Sequence, residues 1–206
     1  MTGYWSVPRL YQDQTIVCMA SGPNLKDEQV EHVRRARYEG KCRLITCNNG
    51  IFKAPWADHF HFADKQWWRW YKDKPEYKNF QNIKTTLSNE LIEEDADNAH
   101  VVFCQPGEGL AEDPTMVRGN SSGYHCINLA KHYGARRIIL MGYEMGPAVM
   151  GSSHWHGEHP NPSDPVVLFA ARARLETVGQ CQIDIVNCSH NTAIKSFRRD
   201  LIENVL

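Results

Sequence analysis

No stretch of this chain approaches the roughly 18 consecutive apolar residues that a membrane-crossing helix needs, and the N-terminus shows no basic-then-apolar leader pattern. The expectation is a soluble, cytoplasmic protein with no membrane partner. Charge of one sign is lacking as well: 23 Lys and Arg against 24 Asp and Glu give a formal net charge of −1. That balance argues against a broad nucleic-acid-binding surface, and the local run Arg34, Arg35 and Arg37 reads as the solvated face of a helix. Cys-x-x-Cys spacing is absent too. The seven cysteines (Cys18, Cys42, Cys47, Cys104, Cys126, Cys181 and Cys188) are odd in number and mostly lie in apolar runs, where a free thiol behaves as a small hydrophobe. They indicate a reducing compartment, with neither disulfide nor metal required for folding.

What is present is 206 residues, enough for one domain with a substantial core. Residues 15 to 20 form a short apolar run that ends in Ser21-Gly22-Pro23-Asn24-Leu25, which reads as a buried strand closing on a glycine loop. Lys26 to Tyr38 then has helical spacing, with Val30 and Val33 inward. Further strands are expected at Arg43 to Cys47, His59 to Ala63, Val101 to Cys104, Arg137 to Met141 and Gln182 to Val186. Helices are expected from Gly119 to His132, with Gly134 as C-cap, and from Val166 to Val178. An aromatic-rich insertion of open pairing occupies about 65–98, and a proline- and histidine-bearing lid about 145–165. Alternating strands and helices predict a single Rossmann-like α/β domain over residues 1–206, its mostly parallel sheet covered by helices on both faces. Such sheets bind ligands beyond the carboxyl ends of their strands.

The polar residues at those ends are the candidate site. Ser21, Gly22, Pro23 and Asn24 lie between a strand and a helix, where backbone amides and the helix dipole suit a phosphate; an ordinary tight turn is the plainer reading. Asn120, Ser121, Ser122 and Gly123 repeat the arrangement at a second helix start. Asn48 and Asn49 follow the second strand with carboxamides able to donate to and accept from a base or sugar, or simply form a turn. Asp64 and Glu144 end two other strands, positions from which a carboxylate can bind magnesium, orient a hydroxyl or cap a helix. The cluster His154-Trp155-His156-Gly157-Glu158-His159 has no helix or cysteine to make it a structural zinc site. Its histidines, His156 and His159 among them, suit general-base work near neutrality.

In order and spacing these motifs resemble the bacterial sialyltransferases of glycosyltransferase family 42 and their relatives, the 6-hydroxymethylpterin pyrophosphokinase-like domains. The likeness covers most of the chain but not its aromatic middle. The family's Gly-Pro-Ser-Leu loop resembles Val17 to Leu25, with Asn24 in place of serine, and its Cys-Asn pair resembles Cys47-Asn48. Its Thr-Ser-Gly helix start and following strand resemble Ser121-Ser122-Gly123 through Gly142, and its histidine lid resembles His154 to His159. The resemblance implies a nucleotide lying across the Gly22 and Ser122 loops, Asn48 on ribose or phosphate, and His159 as the base that deprotonates an acceptor hydroxyl, all without metal. The family's phosphate-stabilising tyrosines are replaced by Met145-Gly146-Pro147-Ala148, so a donor other than sialic acid is expected. The chain is also shorter than those enzymes and ends soon after its last helix, which points to a soluble acceptor. The lid sequence further resembles phage-encoded proteins, which extends the acceptors to nucleic acid and metabolites.

Three functions follow as expectations. The first is a nucleotide-sugar-dependent glycosyltransferase. The second is magnesium-dependent phosphoryl or pyrophosphoryl transfer through Asp64 and Glu144, and the third is a non-catalytic nucleotide-binding or sequestering protein. The segment Trp67 to Tyr71 reads as core packing, an acceptor platform or a homo-oligomer contact.

Overall fold

A five-residue run such as Thr15–Met19, buried at every position, forms a strand that other elements must cover on both faces. The computed structural model describes residues 3–93, 98–146, 154–157 and 165–206. In chain order they form β1 (Thr15–Met19), α1 (Asp27–Tyr38), β2 (Arg43–Cys47), α2 (Gly50–Lys53), β3 (His59–Phe62), α3 (Lys65–Tyr71), α4 (Pro75–Lys78), β4 (Ile83–Thr86) and α5 (Glu90–Glu93). There follow β5 (His100–Val101), β6 (Phe103–Gln105), β7 (Met116–Arg118), α6 (Ser122–His132), β8 (Arg137–Met141), α7 (Pro165–Thr177), β9 (Asp184–Asn187), β10 (Arg198–Arg199) and α8 (Ile202–Val205). Eight strands make one sheet in the order β10-β9-β8-β1-β2-β3-β4-β5, every pair parallel.

The chain steps outward from β1 through β2, β3, β4 and β5, then crosses back to the other side of β1 as β8. The reversal falls between β1 and β8, whose registers run from Thr15 opposite Arg137 to Met19 opposite Met141. Alternation along the strands sorts the core into two layers. Val17 and Met19 pack with Leu44, Phe60 and Val186 beneath Val30 and Val33 of α1 and Trp67 of α3. Ile16 and Cys18 pack with Ile45, Ile138 and Leu140 beneath Tyr124, Ile127 and Leu129 of α6 and Leu175 of α7. Each such buried side chain stabilises the fold by about 1.5–3 kcal/mol. Among the described residues no helix is long and apolar enough to cross a membrane.

Three features differ from the sequence expectation or complete it. The aromatic middle supplies a core layer: Phe60, Phe62, Trp67 and Tyr77 stack edge and face with centroids 5.1–6.1 Å apart, and β4 continues the sheet beside β3. The run Val101 to Cys104 is two strands, because the chain changes sheet at Val102. Val102 N–H still donates to Thr86 in the main sheet, whereas Phe103 N–H donates to Thr115, and β6 pairs with β7 in a separate two-stranded ribbon. Arg37, expected on a solvated helix face, makes a bidentate pair with buried Asp58 (2.8 and 2.9 Å), which also accepts the Leu44 amide. Arg34 and Arg35 do lie on the exposed face.

Candidate active-site cleft

A cleft of about 450 Å³ opens at the carboxyl ends of β1, β2 and β8, beside the start of α6. This is the reversal point of the sheet, where diverging connections leave a crevice. Two glycine loops cross on its floor. Gly22 N–H donates to the Gly142 carbonyl at 3.0 Å, and a Cβ at Gly22 would lie 1.4 Å from Glu144 Oε2. Gly142 has φ +73°, and a Cβ there would lie 2.4 Å from the Ala20 carbonyl oxygen. Only glycine allows the backbones to approach in this way.

The first loop presents Ser21, Gly22, Pro23 and Asn24 to the cleft, but not a helix end. α1 starts only at Asp27, and Asp27 and Glu28 in its first turn already meet its dipole. The α6 start is different. Ser121 is its N-cap, the hydroxyl accepting from Tyr124 N–H; the next amides, of Ser122 and Gly123, have no acceptor among the described residues. Asn120, Ser121, Ser122 and Gly123 all line the cleft. Lys131 complements the far end of the helix. Such an N-terminus favours an anion. Asn48, in a left-handed turn with φ +48°, accepts from Ser122 Oγ at 3.4 Å and lines the cleft. Asn49 does not: it is buried, accepting from Trp67 Nε1 at 2.8 Å and donating toward Tyr71, and so pins α3 to the β2 end.

Asp64 reaches the cleft wall, yet its Oδ1 caps α3 by accepting Trp67 N–H at 2.8 Å. Glu144 is only 4% exposed. Both its carboxyl oxygens are shielded from solvent and accept no hydrogen bond from another described residue. Burial pushes its pKa from 4.5 up to about 7. Trp70 on α3 forms part of the opposite wall.

Residues 154–157 seat on the first loop. His154 Nδ1 lies 3.1 Å from Ser21 Oγ, Trp155 N–H donates to the Ser21 carbonyl, and Lys53 Nζ stands 4.4 Å over the Trp155 ring. His154 lines the cleft. His156 stacks on His154 with centroids 5.0 Å apart and is not among the described lining residues. His159, with Glu158, lies outside the described residues.

The sequence reading missed a buried chain of imidazoles leading to the cleft. Tyr133 OH meets His59 Nδ1 (2.9 Å), His59 Nε2 meets Thr85 Oγ1 (2.7 Å), Thr85 Oγ1 meets His61 Nδ1 (2.9 Å), and His61 Nε2 meets His125 Nδ1 (3.2 Å). His125 Nε2 ends the chain at the Gly119 carbonyl, 3.4 Å away. With the His125 proton on Nε2 and donated to that carbonyl, every link back to the Tyr133 hydroxyl can donate in one direction; Cys104 Sγ, 3.9 Å away, is the other neighbour of the same nitrogen. The reverse order would leave the buried Tyr133 proton without an acceptor among the described residues. Burial pushes His59 down to about 3 and His125 to about 4, so both are neutral near pH 7. The available signal was the alternation His59-Phe60-His61-Phe62, which puts both imidazoles on one face of β3.

No protein-family model matches the chain, and no curated protein matches it in sequence. Among solved structures it is similar to the MAf glycosyltransferase from Magnetospirillum magneticum AMB-1, with a TM-score of 0.67 and 14% identity, over 98% of this chain and 36% of that one. This chain thus spans little more than a third of that protein's length. At such identity the likeness shows the fold: a Rossmann-like α/β sheet, mostly parallel and covered by helices.

Proposed function

We propose that this cleft binds a nucleotide sugar and that the protein transfers the glycosyl group to a hydroxyl acceptor. The observation that carries the reading is the N-terminus of α6, where Ser122 and Gly123, whose amides have no acceptor among the described residues, line a cleft at the sheet's reversal point. In this reading the phosphate sits on those amides, Ser21 and Asn24 flank it, Asn48 meets the ribose, and Trp70 offers a face to the base or sugar. The fold shared with a protein described as a glycosyltransferase adds support.

A specific feature favours this over metal-dependent phosphoryl transfer. No Lys or Arg is among the described residues lining the cleft. Backbone amides alone suit the few charges of a nucleotide sugar better than those of a triphosphate. The test is incubation with CMP-, UDP- and GDP-linked sugars in excess chelator, reading free nucleotide. Release from one donor class, quickened by a hydroxyl acceptor, is the expected result. Turnover of ATP or GTP that stops on chelation contradicts the reading.

A further inference from the structure

The carboxyl group of Glu144 has no structural employment among the described residues. Its neighbours explain its position but not its chemistry. Gly22 makes room for it, the adjacent Tyr143 hydroxyl donates to the Gly123 carbonyl in the first turn of α6 (2.9 Å), and the Glu144 carbonyl accepts Ala193 N–H (2.7 Å). The side chain therefore lies against the glycine loop, on the wall of the same cleft that the α6 start lines. Burying an acid with no partner from another described residue is costly.

Among the described residues the other titratable groups at the cleft or beside it include His154 on the segment over Ser21, His125 at the start of α6, Asp64 ahead of α3, and His190 in the turn that carries Ala193. Cys47 and Tyr143 also line the cleft, and burial raises Tyr143, which keeps it protonated. No cationic Lys or Arg offsets the carboxylate from the described lining.

We infer that Glu144 makes phosphate binding in this cleft proton-linked: the nucleotide is held by the protein with Glu144 in its neutral acid form, and the ionised carboxylate repels it. The inference rests on the nucleotide-binding reading of the same cleft. An anion on the Ser122 and Gly123 amides brings like charge into the cleft that Glu144 also lines and so raises its proton affinity further. By reciprocity the proton raises the affinity for the anion. The upward shift produced by burial alone puts this exchange near neutral pH.

The test uses CMP, UDP and GDP as probes in calorimetric titrations at pH 8, in buffers of different ionisation enthalpy. Wild-type protein is expected to take up a fraction of a proton, up to one, per nucleotide bound, and its affinity to weaken by up to about tenfold per pH unit above pH 7. Glu144→Gln, a neutral isostere, is expected to lose the uptake, flatten the pH profile and bind more tightly than wild type at pH 8. His154→Gln is expected to keep the uptake. Uptake that persists in Glu144→Gln, or wild-type binding without uptake, overturns the inference and leaves the nucleotide site standing. If Glu144→Gln abolishes binding at every pH while remaining folded, the ionised carboxylate is a needed ligand contact and the inference is wrong. Failure of all three nucleotides to bind wild type defeats the functional reading, and this inference with it.

Discussion

Glu144 and the histidines of β3 are buried titratable groups whose effects on stability have opposite sign. His59 and His125 have folded pKa values of about 3 and 4, and His61 lies well below the ordinary 6.5, in each case through burial first. Their contribution is fully present above the unfolded value of 6.5 and is lost as pH falls toward the folded values, because the unfolded chain then binds more protons. Glu144, raised from 4.5 to about 7, works the other way: its neutral form stabilises the fold below 4.5, and that term is lost as pH rises through 7. Three histidines act against one glutamate, so denaturant midpoints are expected to fall as the pH drops below 6.5. A flat stability profile from pH 7 to 4.5 would contradict the buried imidazole chain. At this scale the sequence was only partly legible. Ser21, Gly22, Asn48, Ser121 and Ser122 could be placed at the strand ends that line the cleft, because glycine and small polar residues after apolar runs have a local signature. Burial has none for a single residue. Asn49 and Asn48 are adjacent and chemically identical, and only the tertiary structure sends one toward α3 and the other into the cleft.

Helix ends and strand ends place those residues. α6 was legible at both ends, through its Ser-Ser-Gly start and the Gly134 turn at φ +90°; Gly134 N–H bonds back to Lys131, and Ala135 N–H to Ala130. The first loop was less so, because glycine after a strand announces a turn without saying how far off the next helix begins. Here Asp27 and Glu28 occupy that helix start, so the proposed anion position is at α6. Ser122→Asp therefore makes a sharp prediction. A carboxylate in the first turn of α6 should stabilise the free protein by about 0.3–1 kcal/mol through the helix dipole, while occupying the anion position and removing nucleotide binding. Unchanged nucleotide affinity in a folded Ser122→Asp protein would move the site elsewhere. The break at Val102 was invisible in sequence, since an apolar run does not reveal that its two halves pair in different sheets.

Across the whole molecule, strand–helix alternation was enough to specify a parallel sheet with two covered faces, and strands such as Arg43–Cys47 and Arg137–Met141 matched their apolar runs end to end. Sheet order was not written in any one segment. It follows from which helices cover which face, and it makes β1 and β8 neighbours across a separation of more than a hundred residues. That neighbourhood creates the cleft, so the site is a property of the topology before it is a property of any motif. β10 and α8, which continue the sheet and its covering layer beyond β9, were not anticipated, because a two-residue strand is below what periodicity detects. The proposed function requires this cleft to take a nucleotide without metal. Thermal unfolding with CMP, UDP, GDP, ATP and GTP, each with magnesium and with chelator, tests it most directly, since a ligand at about 100 times its dissociation constant adds roughly 2.7 kcal/mol. Stabilisation by a nucleoside mono- or diphosphate in chelator is the predicted result; stabilisation by triphosphates with magnesium alone, or by none of the five, would contradict it.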